Sequence, residues 1–408
     1  MKILHVSQEV PPETGWGGVG TYIGILGPAL VAAGAEFHVL SVVRGQERRS
    51  YRTADGVVVH RAPLTGARGF GRATGLVETW GRIALSRGVA REVERLDFRP
   101  DVIESPNWNA EGLVVAKRRV TPTVVRLHSW ASQIFGHFAP RVLDARRAIA
   151  LEERLVRLAD VVIGTQVQLD DAGPRLGLPA DRLRVIPPPV AEREARPIPR
   201  GRPTVLFVGR LEARKGPETI VRAMPGVMAR VPNARFVLVG RDSTAAGIPS
   251  YSTWLKCLAA ELGVGAHLEV RDDHPSDDEV TTLRDEAAVC VMPSRWESFG
   301  YVAAEGLAAA RPVVASDVGG LREIVDHGKT GYRVPPEDSA AWADALIDLL
   351  SHPDRATMMG QRGAEAMRAR YAPAHIAAVT LDAYDLAISH FHRSPVDPDT
   401  GDQLVEAG

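Results

Sequence analysis

The stretch "AVCVMPSRWESFGYVAAEGLAAARPVVASDVGG", residues 288 to 320, decides the fold. It reads as a short apolar strand, a turn holding Gly300, a small-residue helix and a second strand-like run, "PVVAS". Two strands joined through a helix lie parallel, because a parallel pair needs a crossover. Both runs are apolar throughout rather than alternating, as strands covered on both faces are. Glu297 falls in the turn, and Glu305 follows eight positions later, about two turns into a helix expected to begin near Ser298. That placement disfavours an acid and base pair on one helix face. It suits two hydrogen-bonding stations along one extended ligand, in the way an acidic residue of a dinucleotide-binding fold meets a ribose. The other reading is a dipole-stabilised Glu297 and a surface Glu305. Against it, "YVAA" and "GLAAA" leave Glu305 almost the only polar group on its helix.

The same pattern extends in both directions. "KILHVS", "EFHVLSVV", "DVIES", "PTVVRLH" and "DVVIGT" are short strand-like runs with helical stretches such as "TYIGILGPALVAAG" and "ARRAIALEERLVRLA" between them, which makes residues 1–186 one doubly wound α/β domain. Residues 187–203 are dense in proline and charge and read as a linker. The α/β pattern then restarts with "TVLFVG", "RFVLVG" and "HLEV", so residues 204–373 form a second doubly wound domain. Residues 374–392 are an amphipathic helix, and residues 393–408 have the composition of a frayed tail. Two such domains create a cleft at the carboxyl ends of their sheets, so the loops after the strands are where ligands are expected.

A chain of 408 residues, 45% hydrophobic, is more than one core normally accommodates, in agreement with two domains. Two cysteines, Cys257 and Cys290, exclude a disulfide framework, and Cys290 in "AAVCVM" reads as a small buried hydrophobe. No run approaches the roughly 18 apolar residues of a membrane span, and the N-terminus lacks a signal-peptide pattern, so a cytoplasmic protein is expected. The formal net charge of -1 hides an asymmetry: residues 1–200 hold 28 Lys/Arg against 21 Asp/Glu, the remainder 21 against 29. Chance on two solvated surfaces accounts for this, as does a basic half facing an anionic partner or a membrane.

Several further loops carry candidate chemistry. "PPETGWGGVGTY", residues 11–22, places Gly15, Gly17, Gly18 and Gly20 ahead of a helix, where close backbone approach and a helix N-terminus suit a phosphate or the reacting end of a sugar. "VGRLEARKGPE" places Arg210 and Lys215 between Gly209 and Gly216, ahead of a helix starting near Pro217. A guanidinium and an ammonium there suit a diphosphate, each neutralising a different oxygen group; two solvated loop cations is the other reading. Gly319 and Gly320 open a further turn onto a helix. His128 closes the strand "PTVVRLH" and is placed for a substrate contact. "IESPNWNAEG" offers Glu104, Asn107, Trp108 and Glu111, polar and aromatic groups suited to a sugar or cyclitol acceptor.

Taken together, "GGVGTY", "VGRLEARKG" and "PSRWESFGYVAAEGLAAARPVVASDVGGLREIV" followed by "HGKTGYRVPPED" resemble the retaining glycosyltransferases of family 4, which have the GT-B fold. The resemblance covers nearly the whole chain. It implies a hexosyltransferase that moves a hexose from a nucleotide diphosphate sugar, UDP favoured over GDP, to a hydroxyl acceptor. It implies no resident cofactor and no metal, with Arg210 and Lys215 binding the donor diphosphate. Gly17 and Gly18 match the loop that closes over that diphosphate. Glu305 matches the ribose contact, and Glu297 the contact to the donor sugar, with Ser298, Phe299, Gly300 and Tyr301 along the same sugar. His128 matches a histidine beside the anomeric carbon. Retention in such enzymes is described as front-face attack, a donor phosphate oxygen taking the acceptor's proton, and the last helix returns to the first domain. The sequence departs from the family at "VIPPPV", where Asn-Gly and an acidic residue are usual, and at "VRDDHPSDDEV", which replaces an apolar-Gly turn that helps hold the base.

Within that fold a sugar phosphorylase or sugar-nucleotide epimerase is the alternative enzyme. A membrane-surface or partner-binding protein using Arg68, Arg72, Arg82, Arg87 and Arg91 is the alternative of another class. Expected partners are a nucleotide sugar and a hydroxyl acceptor, glycan, lipid-linked or small, with no nucleic acid. The oligomeric state is not legible.

Overall fold

In a computed structural model the described residues are 1–10, 17–65, 68–135, 142–245, 247–273 and 275–393, with backbone alone for 68–70. The expected Gly15 and the tail beyond residue 393 lie outside them. The chain divides into two units, Met1–Pro188 with Ala374–Gly408, and Pro189–Pro373.

Unit 1 is built on β1 (Lys2–Val6), β2 (Glu36–Val43), β3 (Arg49–Arg52), β4 (Val58–Pro63), β5 (Val102–Pro106), β6 (Thr123–Arg126), β7 (Val161–Gly164) and β8 (Leu183–Val185). Their order in the sheet is β3-β4-β2-β1-β5-β6-β7-β8, parallel except for the antiparallel β3/β4 pair. Unit 2 is built on β9 (Thr204–Val208), β10 (Arg235–Val239), β11 (Leu268–Arg271), β12 (Val289–Met292), β13 (Val313–Ser316) and β14 (Gly331–Val334), ordered β11-β10-β9-β12-β13-β14 and parallel throughout. Val205, Phe207, Val289 and Val291 point from the central strands into one apolar layer with Ile220, Met224 and Trp342. Leu206, Cys290 and Val313 point into the other with Ala304 and Leu307, which is why these strands are apolar on both faces. In each sheet the order reverses once, between β1 and β5 and between β9 and β12. At such a point the following loops run to opposite faces and leave a crevice beyond the strand ends.

The helix Pro373–Arg393 belongs to unit 1, and its tie there is polar. The Tyr384 hydroxyl donates to Glu104 Oε2 at 2.6 Å, and the Tyr22 hydroxyl donates to Glu104 Oε1 at 2.7 Å. His5 Nδ1 and Arg126 Nε lie 3.3 and 3.4 Å from the same carboxylate. Glu104 is 0% exposed. Burial alone would favour its neutral form; the Arg126 guanidinium, with His5 and Tyr384, outweighs it and holds the carboxyl far below its ordinary range. A buried carboxylate is tolerable only while its partners remain. Tyr384→Phe strips one of them, so the free energy of unfolding should fall by about 2 kcal/mol, seen as a lower urea midpoint with an unchanged slope. An unchanged midpoint would show that the returning helix is held by apolar contact alone.

Candidate functional site

At the reversal point of unit 2 the loops after β9, β12 and β13 are gripped backbone to backbone. Gly216, at φ +64°, lies so close to the Pro293 carbonyl that a Cβ would collide with it. Gly319, at φ +46°, is pressed in the same way onto the Glu297 carbonyl, which accepts a 3.0 Å hydrogen bond from Gly320 N–H. A Cβ on Gly320 would lie 2.5 Å from Ser298 O. At Gly216 and Gly319 only glycine satisfies both the positive φ and the contact, and at Gly320 the contact alone excludes a Cβ, so these residues fix where Glu297 stands relative to the β9 loop.

There Lys215 Nζ is ion-paired with Glu297 Oε1 across the reversal point. Ser294 Oγ donates to the same oxygen at 2.9 Å, and Arg214 Nη1 lies 3.9 Å from it. Glu212 Oε1 is 2.9 Å from Arg214 Nη2 and 3.2 Å from Arg210 Nη2. Three cations therefore share two carboxylates. Burial opposes ionisation of Glu297, but Lys215 and Arg214 hold it below its ordinary value. Lys215 is also pulled below its ordinary value, first by burial, with Arg214 and Arg210 adding to that and Glu297 opposing it. The two shifts have different causes: at Glu297 the cations outweigh burial, while at Lys215 burial outweighs the attraction of Glu297. Arg210 is exposed, while Lys215 is 14% exposed in its side chain. The helices Pro217–Arg230 and Tyr301–Ala308 start beside this cluster, each with a left-handed glycine, Gly216 and Gly300, before its first residue. Three cations against two carboxylates, beside two helix starts, are features that suit an anion.

The helix after Glu297 begins at Tyr301, not near Ser298, because Gly300 takes a left-handed conformation that ends the turn. Glu305 is therefore one turn into the helix, not two. It accepts a 2.6 Å bond from Arg284 Nη2 on the helix Asp277–Glu286. Phe299 is buried against Tyr301 and Tyr371, and Ser298 offers its backbone at the turn. Arg295, unremarked in the sequence, cross-links the loop by reaching Glu218 and Glu337, each at 2.6 Å, and the Ala213 carbonyl.

Unit 1 gathers the remaining candidates around β5 and β6. His128 N–H donates to Asn107 Oδ1 at 2.7 Å, and Asn107 Nδ2 donates to Ser129 O at 3.2 Å, so the buried Asn107 side chain holds the β6 loop. Burial, then the charge of Arg126, pushes the His128 ring down to about 3, which keeps it neutral. Glu104 sits in the core cluster described above, with both oxygens engaged. Trp108 packs under the Arg82 guanidinium, 5.5 Å from it. Arg82, expected on a basic surface with Arg72, Arg87 and Arg91, is instead 3% exposed and bonded to Glu78, because the opposing Glu152 turns it inward. The Arg68 side chain is outside the described residues. Gly17 precedes the helix Gly18–Ala32, and Glu9 Oε2 accepts from Gly20 N–H at 3.0 Å, placing a carboxylate at that helix start; a Cβ on Gly17 would meet it at 2.6 Å.

Three comparisons with known proteins each cover most of this chain. Residues 191–366 match the family described as glycosyl transferases group 1, and residues 17–189 match the glycosyl transferase 4-like domain. The D-inositol 3-phosphate glycosyltransferase of Xylanimonas cellulosilytica is 31% identical over 412 residues, covering 94% of this chain and 95% of that one. The glycogen synthase of Mycobacterium tuberculosis is 29% identical over 423 residues, 97% of each. The sucrose-phosphate synthase from Thermosynechococcus elongatus superposes with a TM-score of 0.77 at 25% identity, covering 96% of this chain and all of that one. The fold and these matches define a GT-B glycosyltransferase. The chain belongs to family 4 of those enzymes. Among the described residues no helix is long and apolar enough to cross a membrane.

Glu111 yields a pH prediction. It is buried, with Oε2 unbonded and only a 3.5 Å contact from Gln8 N–H to Oε1; burial, offset in part by Gln8 and reinforced by Glu9, raises it to about 8. A carboxyl whose folded value lies above its unfolded 4.5 holds more protons folded than unfolded, so its contribution to stability falls as pH rises through 4.5 to about 8. Glu111→Gln should melt above wild type at pH 8 and level with it near pH 4.5. Parallel melting curves across that range would contradict the assignment.

Proposed function

We propose that this glycosyltransferase moves a hexose, with retention of anomeric configuration and without a metal ion, from a nucleotide diphosphate sugar to a hydroxyl acceptor. UDP is the favoured carrier. The observation that carries the reading is the cation-rich cluster of Arg210, Arg214 and Lys215 around Glu297, where the charge of a departing diphosphate would be met without a divalent ion. Lys215 gives one of its three N–H donors to Glu297, leaving two for phosphate oxygens. Glu297 and the Ser298 to Gly300 backbone serve the donor sugar, and Glu305, oriented by Arg284, accepts from the ribose hydroxyls. In transfer, the acceptor oxygen bonds to the anomeric carbon on the face the diphosphate leaves. The carbon–oxygen bond to phosphate breaks with its electron pair going to the nucleotide, and a phosphate oxygen takes the acceptor's proton. No side-chain nucleophile is needed. A neutral His128 ring serves as a hydrogen-bonding neighbour of the sugar rather than a cation. The curated relatives are named for a small polyol phosphate and for a glucan, and of these we favour the small acceptor, since Trp108 and Asn109 in the β5 loop suit a single ring.

A thermal-shift screen of nucleotides and nucleotide sugars tests the donor. UDP and a UDP-hexose should raise the melting temperature most, by the equivalent of about 2.7 kcal/mol at about 100 times Kd. Without acceptor the enzyme should slowly release UDP, unchanged by EDTA, and Lys215→Ala and Glu305→Ala should lose most turnover. Wild-type turnover in both variants, or phosphate-dependent release of a sugar phosphate, would overturn the reading in favour of a phosphorylase.

A further inference from the structure

At the amino ends of β2 and β4, the opposite end of the unit 1 sheet from the loops described above, side chains of three neighbouring strands form one line of contacts. Glu36 and His38 are the first and third residues of β2, His60 is the third of β4, and Ser50 lies on the edge strand β3 in register with His60. Ser50 Oγ is 2.8 Å from His60 Nδ1, His60 Nε2 is 2.8 Å from His38 Nδ1, and His38 Nε2 is 3.3 Å from Glu36 Oε1. Phe98 stacks on the His38 ring at 3.7 Å and 9°, which fixes the plane of that ring.

The order of the protons along this line follows from its ends. Burial, then the neighbouring His60, lowers His38 to about 4, and burial lowers His60, so at neutral pH each ring carries one proton. A carboxylate only accepts, so the His38 proton belongs on Nε2, facing Glu36. Nδ1 of that ring is then an acceptor, and His60 carries its proton on Nε2 to donate to it. That leaves His60 Nδ1 bare, and the Ser50 hydroxyl donates to it. The reverse order would set the lone pair of His38 Nε2 against a carboxylate 3.3 Å away. His38 Nε2 is buried and makes no hydrogen bond as it stands; the Glu36 side chain, 47% exposed, has room to swing onto it.

A hydroxyl aimed at a neutral imidazole, itself oriented by further groups ending in a carboxylate, is the arrangement that activates serine nucleophiles on unrelated folds. Ser50 is exposed, so an electrophile reaches it, while His38 is buried. Arg52, two residues on and so on the same face of β3, is tied to the Gly56 carbonyl at 2.7 Å, and its charge further disfavours protonation of His38. An open strand edge suits lasting capture of a group more than repeated turnover.

We infer that Ser50 is a modification site, the nucleophile that takes an acyl group from an activated ester or thioester. Ser50 Oγ bonds to the acyl carbon as its proton passes to His60 Nδ1. The carbon–oxygen or carbon–sulfur bond of the donor breaks with its electron pair going to the leaving alcohol or thiol, to which His60 returns the proton. An O-acyl serine remains. The inference is independent of the glycosyl-transfer reading.

Acetylation of the full chain by p-nitrophenyl acetate tests it, with peptide mapping by mass spectrometry reading Ser50 against the exposed Lys256 in the same digest. Ser50 should be acetylated ahead of every other serine and threonine. His60→Gln should slow it about a hundredfold and leave Lys256 unchanged, the order of magnitude a general base contributes. Glu36→Lys, at an exposed position, puts a donor where the line needs an acceptor, reverses the proton order and should slow Ser50 at least about tenfold, whereas Glu36→Gln still accepts and should keep most of the rate. A melting curve shows which variants are folded, and Glu36→Lys decides where His60→Gln is not. No acetyl group on Ser50, a Ser50 rate unchanged in the folded variants, or a fall matched at Lys256 overturns the inference.

Discussion

The ion pair between Lys215 and Glu297 is the constraint on which the rest of unit 2 depends. It joins the loops that follow β9 and β12, the two strands between which the sheet order reverses, and it is formed where helix starts and arginines already concentrate positive charge. Such a pair is costly to bury and would not persist unless its geometry were imposed. The imposition comes from backbone: Gly216 against Pro293 and Gly319 against Glu297 leave the two loops no freedom to part. Arg295 adds a polar brace from beneath, tied to Glu218 and Glu337, and Tyr251 donates to the other Glu218 oxygen at 2.9 Å. The result is a cation-rich loop cluster braced through backbone and side-chain contacts, and such bracing is the condition for electrostatic preorganisation.

Unit 1 solves a different problem with similar means. A single carboxylate, Glu104, is buried in the sheet and satisfied from three directions, by a residue of the first helix, by strand neighbours, and by Tyr384 from the far end of the chain. The C-terminal helix is thus specified by chemistry as well as by its apolar face. The β5 and β6 loops, which carry Asn107, Trp108, Asn109 and His128, stand directly on this cluster. Polar groups in the core and polar groups at the strand ends are parts of one connected arrangement, and Asn107 is the link between the two loops.

Most of the parallel strands were legible because they are β-branched and apolar on both sides, and Pro217 announced its helix start. The strands β3, β4, β8 and β14 were not read as such. "RSYR" and "LRV" are short, polar and near sheet edges, where half the residues face water and the apolar run is lost. That Arg210, Lys215 and Glu297 sit in loops just after strands was legible, because glycines and charge occur together there. What could not be read is pairing across the chain. Arg284 orients Glu305 from 21 residues away, Tyr384 reaches Glu104 across 280, and Glu152 turns Arg82 inward across 70. Each pairing follows from the stacking of whole elements, and no local pattern carries it. The positive φ values at Asn109 and Ala110 were equally silent, since neither residue is glycine.

If the Lys215–Glu297 pair is a preformed diphosphate site, its two members must act oppositely on a bound nucleotide. Lys215 attracts the phosphates; Glu297 repels them and earns its place through the sugar. Equilibrium titration of UDP against Lys215→Met and Glu297→Gln, with turnover of a UDP-hexose measured on the same samples, separates these roles. The account predicts that Lys215→Met weakens UDP by about tenfold or more, while Glu297→Gln binds UDP as well as wild type or better and still loses turnover. Wild-type UDP affinity in Lys215→Met, or weakened UDP binding in Glu297→Gln, would contradict it.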